Sequence, residues 1–166
     1  MLKPENIKFI VIHCTATKDD PRIGVEQIRR DHVENNGWTD IGYHYLVKTD
    51  GTIQLGRDDK TEGAHVKGYN SMSVGIAYVG GETAEGECTL FRNRDQESSL
   101  YILVRMLQHR YPNARVVGHR DLSPDKNGNG TIEENEWLKL CPCFDVGQWL
   151  RRKQENEKPP LSIENN

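Results

Sequence analysis

Apolar and polar residues along the chain follow two spacings, one typical of buried strands and the other of amphipathic helices. Residues 7–14 form a short apolar run rich in β-branched side chains, which predicts a buried strand. Alternation along this strand would place Phe9, Val11 and His13 on one face. Asp50-Gly51 predicts a tight hairpin between two of the later strands. The strands predicted in this way are 7–14, 43–48, 52–55, 73–79 and 115–117.

Helical spacing predicts two longer helices and two short ones. The first begins near Val25 and runs for about three turns to residues 35–37. The second begins at Asn93, which suits an N-cap because Gln96 follows three positions later, and it ends at residue 111. Short helices are expected at 133–140 and 146–152.

Strands separated by helices predict an α/β fold class, with a central mixed β-sheet flanked by helices. One such domain would occupy residues 1–153. The remaining stretch, 154–166, is polar and contains Pro159-Pro160, so it is expected to be a disordered tail.

Composition limits the partners that this chain can be expected to have. Its 166 residues are 35% hydrophobic and 28% charged, which is typical of one soluble globular domain. Lys and Arg number 22 against 25 Asp and Glu, and this balance gives no reason to expect nucleic acid or an anionic membrane as partner. The apolar run near the start is too short for a membrane span or a signal peptide, so synthesis in the cytoplasm is expected.

Four cysteines are too few for a disulfide scaffold in a chain of this length. We therefore expect free thiols, at least one of them on a metal. His13 and His119 end two predicted strands, and Cys141 follows later in the chain. Neutral imidazole and thiolate are ligands of zinc, and a catalytic zinc site leaves one position open for water. Spacing alone does not establish such a site, since the three residues lie far apart in sequence.

Several short segments together resemble a known family of enzymes. They are FIVIHCTAT at 9–17, GYHY at 42–45, GAHVKGYN at 63–70, SVGI at 73–76 and KLCPCFD at 139–145. This ordered set resembles the phage-lysozyme type of N-acetylmuramoyl-L-alanine amidase, a family that also includes the peptidoglycan recognition proteins. The resemblance runs from about residue 7 to residue 150.

The resemblance implies a zinc ion held by His13, His119 and Cys141, with Tyr43 and Lys139 as the catalytic pair. The reaction would be hydrolysis of the amide bond between N-acetylmuramic acid and the L-alanine of the stem peptide. In that reaction the Lys139 ammonium can stabilise an oxyanion, and the Tyr43 hydroxyl can orient water or pass a proton to the leaving amine.

Other residues near these motifs have competing interpretations. Cys143 competes with Cys141 for the metal, and the resemblance favours Cys141. His65 is expected to line the substrate groove. His44 is expected to lie behind the ligands or in the core.

Residues 125–136 depart from the compact pattern of the family and match the calcium-loop motif D-x-[DN]-x-[DN]-G-x5-E at every fixed position. The calcium ligands would be Asp125, Asn127, Asn129, Thr131 and Glu136, with Glu133 acting through a water and Gly130 permitting the turn. The alternative is a polar surface loop built from Asx-turns. Pro124 precedes the loop, so this would be half of an EF-hand with a structural role. Calcium would then fix Lys139 and Cys141 in place.

Several functions remain open on the sequence alone. The chain could be a lysin of phage or prophage type that degrades the cell wall, or a cytoplasmic amidase that recycles wall fragments. It could also be a peptidoglycan-binding module without catalysis, or a calcium-binding protein with no active site. Non-catalytic members of the family typically lack the third zinc ligand, so Cys141 favours the enzyme. We expect a monomer whose partner is peptidoglycan and which acts on the wall once it is released.

Overall fold

The computed structural model describes residues 1–82, 87–89 and 93–157 of the chain. Its five named strands form one sheet. The strands are β1 (Phe9–Cys14), β2 (Tyr45–Val47), β3 (Ile53–Leu55), β4 (Ser73–Tyr78) and β5 (Arg115–Gly118). Their order across the five-stranded sheet is β3-β2-β4-β1-β5. The β2–β3 pair is antiparallel and the other pairs are parallel, so the predicted α/β fold with a mixed sheet is confirmed.

The helices are α1 (Val25–Glu34), α2 (Arg94–Arg110) and α3 (Val146–Glu157). The predicted cap of α2 is present, because the Asn93 side chain accepts the backbone N–H of Gln96 at 2.8 Å. Among the described residues, no helix combines the length and the apolar character that crossing a bilayer requires.

The central strands are covered on both faces, which explains their nearly continuous apolar sequence. One face of β1, with Ile10, Ile12 and Cys14, packs in the main core against α2 and α3. The other face, with Val11, packs against Val66 in the loop before β4. The predicted alternation along this strand is therefore confirmed.

The register of β1 with β5 places two predicted ligands at the same edge of the sheet. Ile12 pairs with Gly118, so His13 and His119 each follow a paired residue at the carboxyl ends of neighbouring parallel strands. Inward-facing residues at such an edge are well placed to form a ligand site.

The helix predicted at 133–140 is wrong. That stretch contains one 3-10 turn, Glu134–Glu136, which ends at the extended residue Trp137, and residues 137–140 form no helix. Side chains take the hydrogen bonds that a helix would have used: the Leu138 N–H donates to Ser123 Oγ at 3.0 Å. The helix at 146–152 is present but continues to Glu157, four residues into the predicted tail, and residues 158–166 lie outside the described part.

The expectation that all four cysteines are free thiols is also wrong. Cys88 and Cys143 form a disulfide, with their Cα atoms 5.5 Å apart, whereas Cys14 and Cys141 are free. The count of cysteines did not reveal this pair because the fold, and not the spacing, brings two residues 55 positions apart together. The bond joins the stretch after β4 to the chain just past Cys141.

Candidate metal centre and active site

The three residues that the sequence singled out as zinc ligands lie together in the structure. One donor atom from each of His13, His119 and Cys141 lies within 4.8 Å of the others. His13 is 1% exposed at the end of β1, and the other two are half-buried. These three residues form the candidate metal centre. Two imidazoles and one thiol around a single point are a donor set that suits zinc.

Backbone hydrogen bonds hold Cys141 in this position. The Arg120 N–H donates to the carbonyl oxygen of Cys141 at 2.9 Å. The Cys14 N–H points at Cys141 Sγ at 3.2 Å, a contact that stabilises negative charge on the sulfur. The next carbonyl, of Pro142, accepts the Tyr78 hydroxyl at 2.6 Å. These contacts, each of which involves a main-chain atom, fix Cys141, the third candidate ligand, against the ends of β1 and β5.

Burial sets the protonation states of the candidate metal centre. It lowers the pKa of His13 well below the ordinary value, with neighbouring His65 adding to the shift. Burial, followed by the charge of Lys139, lowers the pKa of His119 to about 4. The neighbouring Cys14 thiol, together with burial, raises the pKa of Cys141 and outweighs the opposite effect of the Cys14 N–H. Near neutral pH the two imidazoles are thus in the form that binds metal, whereas the thiol must lose a proton.

Tyr43 and Lys139 lie beside the candidate metal centre from opposite parts of the chain. The ring centroid of Tyr43 is 5.2 Å from that of His13, and burial raises the pKa of its hydroxyl, so the phenol keeps its proton. Tyr43 precedes β2 instead of beginning it. Lys139 is exposed, yet its charge is close enough to lower the pKa of both His13 and His119.

His65, which was expected to line the substrate groove, is buried next to His13. Its side chain is 7% exposed, and its Nδ1 lies 3.0 Å from His13 Nε2, so it lies behind the candidate ligand. His44 is 1% exposed, accepts the Gly75 N–H at 2.9 Å and contacts the Thr61 carbonyl oxygen at 3.0 Å. His44 is therefore a core histidine, which was one of its two expected places.

The loop 125–136 is closed by the carboxylates at its two ends. Asp125 accepts the N–H of Gly130 at 2.7 Å. Glu136, 2% exposed, accepts the N–H of Glu133 at 3.0 Å and two N–H groups near the start of the loop at 2.7 and 3.1 Å. Gly130 has φ +83°, a backbone conformation that residues other than glycine rarely adopt.

A contact that the sequence did not reveal links this loop to the candidate metal centre. The guanidinium of Arg120, the residue after His119, stacks on the Trp137 ring at 4.0 Å. Ser123 Oγ accepts the next N–H, that of Leu138. The turn that follows β5 thus holds the segment carrying Lys139. The available signal was a tryptophan directly after a polar, acidic stretch, which suggests a packing partner.

The fold and these residues define a class of protein, an α/β domain with a candidate metal centre at the carboxyl edge of a mostly parallel sheet. Within this class, the family model described as N-acetylmuramoyl-L-alanine amidase matches residues 3–131, and the chain belongs to this family. The matched range contains His13, Tyr43 and His119 and ends before Lys139 and Cys141.

Individual relatives cover nearly the whole chain. An endolysin of Enterobacteria phage K11 is 39% identical over 149 residues, 90% of this chain and 88% of the relative. The endolysin of Escherichia phage T7 is 35% identical over 150 residues, 90% of this chain and 89% of its own length. Among solved structures, the Ph2119 endolysin from a Thermus scotoductus bacteriophage superposes with a TM-score of 0.68 at 27% identity, over 92% of this chain and 88% of that one.

Proposed function

We propose that this protein is a zinc-dependent N-acetylmuramoyl-L-alanine amidase that acts as a lysin of phage type. It would hydrolyse the amide bond between N-acetylmuramic acid and L-alanine in peptidoglycan. The observation that carries the proposal is the convergence of His13, His119 and Cys141 within 4.8 Å. Tyr43 packs beside His13, and the charge of Lys139 acts on both histidines. Membership of the amidase family and the similarity to phage endolysins over most of the chain support it.

The donor set of the candidate metal centre fits zinc in chemistry and in protonation. Two ring nitrogens that are neutral near pH 7 and one thiol offer three ligands, as catalytic zinc sites require. A zinc ion held there would lower the pKa of bound water to about 7 and polarise the carbonyl of the scissile amide.

The two residues beside the candidate metal centre would handle charge and protons. Lys139 is cationic and exposed, so it can approach the carbonyl oxygen of a bound substrate and stabilise the negative charge that develops there. Tyr43 keeps its phenolic proton because burial raises its pKa, so it can donate a hydrogen bond or pass a proton to the leaving amine.

Digestion of purified peptidoglycan tests this proposal. The protein is incubated with intact wall, with and without zinc, and the newly formed termini are identified. We expect free L-alanine amino termini that appear only when zinc is present. New reducing sugar ends without such termini would refute the amidase assignment.

Two cysteine variants form the matched test of the metal. Cys141→Ala should lose both zinc and turnover, whereas Cys14→Ala removes a neighbouring buried thiol that is outside the ligand set and should retain both. Equal turnover by the wild type and Cys141→Ala would contradict the role of the third ligand.

The same digestion separates the lysin from the two other functions considered. A lysin should release products from intact wall, whereas a recycling amidase should act on soluble wall fragments and leave intact wall largely uncut. A binding module without catalysis should bind the wall and release nothing. The endolysin relatives favour the first outcome.

We also propose that the loop 125–136 binds a structural calcium ion. The proposed ligands are the oxygens of Asp125, Asn127, Asn129, Thr131 and Glu136. Support comes from the match to the calcium-loop motif, from the φ of +83° at Gly130 and from the hydrogen bonds that both terminal carboxylates accept from backbone N–H groups within the loop. Glu136 directly precedes Trp137, which stacks on Arg120, so the ion would help to fix the segment that carries Lys139.

Removal of calcium by a selective chelator tests this second proposal. A ligand present at about 100 times its dissociation constant stabilises the folded state by about 2.7 kcal/mol, so the unfolding temperature should fall measurably on chelation. Activity should fall as well, and both should recover when calcium is restored. An unchanged unfolding temperature, with zinc content and activity also unchanged, would show that the loop holds its shape through its own hydrogen bonds.

A further inference from the structure

We propose that Ser73 and His65 are positioning residues that fix the ring tautomer of His13, so that Nδ1 of His13 is the nitrogen offered to the metal. This inference rests on the proposed zinc amidase and deepens it by assigning which atom of the buried ligand binds. It follows from a chain of hydrogen bonds that begins at a backbone carbonyl.

The first step is the single proton of the Ser73 hydroxyl. Ser73 Oγ lies 2.8 Å from the carbonyl oxygen of Tyr69 and 3.3 Å from Nε2 of His65. A carbonyl oxygen can only accept, so the hydroxyl donates its proton to Tyr69. Towards His65 the same oxygen is then an acceptor, and Nε2 of His65 must carry the proton.

The second step passes this choice to the next ring. A neutral imidazole has one N–H, so only one of the two ring nitrogens of the buried His65 can donate. With its proton on Nε2, His65 has an unprotonated Nδ1, which lies 3.0 Å from Nε2 of His13. His13 is therefore the donor in this contact.

The third step concerns the nitrogen that remains. Because Nε2 of His13 carries the proton, its Nδ1 has a free lone pair. This Nδ1 lies 3.8 Å from Cys141 Sγ, on the side of the candidate metal centre. The opposite tautomer would place a proton between the ring and the metal. The Ser73 hydroxyl proton, one ring away from His13, thus selects the form of His13 that can bind.

The surrounding chain keeps the His65 ring from turning. The backbone N–H groups of His65 and Val66 both donate to the Asn70 side chain at 2.9 Å. The ring lies directly on Gly75, where an added Cβ would come within 2.6 Å of His65 Cγ. The ring is therefore fixed at both its backbone and its face, and partners of this kind commonly orient metal-binding histidines.

Nitrogen NMR of the zinc-loaded wild-type protein tests the assignment without any substitution. Long-range proton–nitrogen spectra should show His13 protonated at Nε2 with Nδ1 on the metal, and His65 protonated at Nε2. Coordination of His13 through Nε2, or a proton on Nδ1 of His65, would overturn the proposal.

Substitutions give a second readout, the zinc dissociation constant measured by competition with a chelator. His65→Leu removes the acceptor for His13 and should weaken zinc binding about 10- to 100-fold, the usual effect of losing such a partner. His65→Gln keeps a side-chain oxygen that can accept from His13 and should recover most of this loss. Ser73→Ala should weaken binding by disturbing the proton on His65. Unchanged zinc affinity in His65→Leu would refute the inference.

These measurements need no peptidoglycan, so the two proposals can fail separately. If the wild type cleaves peptidoglycan while His65→Leu binds zinc as tightly as the wild type, the positioning role is wrong and the amidase stands. If the NMR tautomers and zinc affinities are as expected while no amide bond is cut, the amidase is wrong and the positioning role stands.

Discussion

Zinc binding at pH 5.5 is expected to release about one proton from the candidate metal centre. The perturbation is the addition of zinc to metal-free protein. Burial lowers the pKa of His13 and, together with Lys139, brings that of His119 to about 4, so both rings are already neutral at this pH. Cys141, whose pKa is raised, holds a proton that must leave when the thiolate binds metal.

The number of protons released on zinc binding shows whether the pKa values of the two imidazoles are lowered or ordinary. With ordinary pKa values near 6.5, each imidazole would be about 90% protonated at pH 5.5, and the total release would be about 2.8 protons. With the lowered values, the thiol contributes nearly all of the release. One displaced proton also means that zinc affinity rises about tenfold per pH unit between roughly pH 5.5 and 6.5, tightening as pH increases.

Calorimetric titration in buffers of different ionisation enthalpy measures the release directly. The slope of the observed enthalpy against buffer ionisation enthalpy gives the number of protons released. At pH 5.5 a zinc-bound water, whose pKa would be about 7, keeps its proton and adds nothing to this number. Cys14→Ala is the control and should show the same slope, because the proton comes from Cys141. A slope near three would refute the argument that burial keeps the imidazoles neutral, and a slope near zero would place a thiolate in the metal-free protein.

Three further predictions concern the packing around the site. Leu100→Ala should lower the free energy of unfolding, measured by denaturant titration, by about 2–5 kcal/mol because Leu100 is fully buried. Ile102 lies on the same helix and is 55% exposed, so Ile102→Ala should change this free energy by about 0.5 kcal/mol or less, and equal losses would contradict this account of the core. Trp137→Leu removes the stacking contact with Arg120, which is worth about 0.5–2 kcal/mol, so kcat should fall while zinc content stays constant. An unchanged kcat would show that this contact does not position the segment that carries Lys139. Gly75→Ala should lower the free energy of unfolding by about 1–3 kcal/mol and weaken zinc binding, because the added Cβ would clash with the His65 ring. Normal zinc affinity in this variant would show that the ring can move aside without disturbing His13.

The parts of the fold that follow from local patterns could be predicted from the sequence. The hairpin at Asp50-Gly51 is present, and Gly51 has the positive φ, +82°, that such a turn needs. The α2 helix begins at the predicted cap, Asn93, because the capping hydrogen bond is local. Strand β1 was expected from its apolar run, and its two faces pack as alternation requires.

The parts that depend on tertiary contacts could not be predicted. The stretch 133–140 contains residues that form helices readily, yet hydrogen bonds to Ser123 and Glu136 and stacking on Arg120 hold it in another conformation. The Cys88–Cys143 bond depends on how the chain folds back after β4. The contact of His65 with His13 could not be predicted either, because periodicity does not say which neighbour a loop histidine meets.

The candidate site could be predicted from the sequence only in part. Proximity of His13, His119 and Cys141 was expected only through the resemblance to a family, since no spacing joins them. The structure brings them together, whereas their role as zinc ligands, and those of Tyr43 and Lys139, remain proposals for the experiments above.

The pairing of β1 with β5 has a consequence for redesign of the protein. Because His13 and His119 follow directly paired residues of neighbouring strands, hydrogen bonding between those strands sets their separation, and the long intervening chain does not. Connecting loops that carry none of the residues contacting His13, unlike the 63–70 loop with His65, can therefore be randomised or exchanged. Libraries confined to the loop between β1 and α1, for example, should yield variants that still capture the ion at an unaltered site.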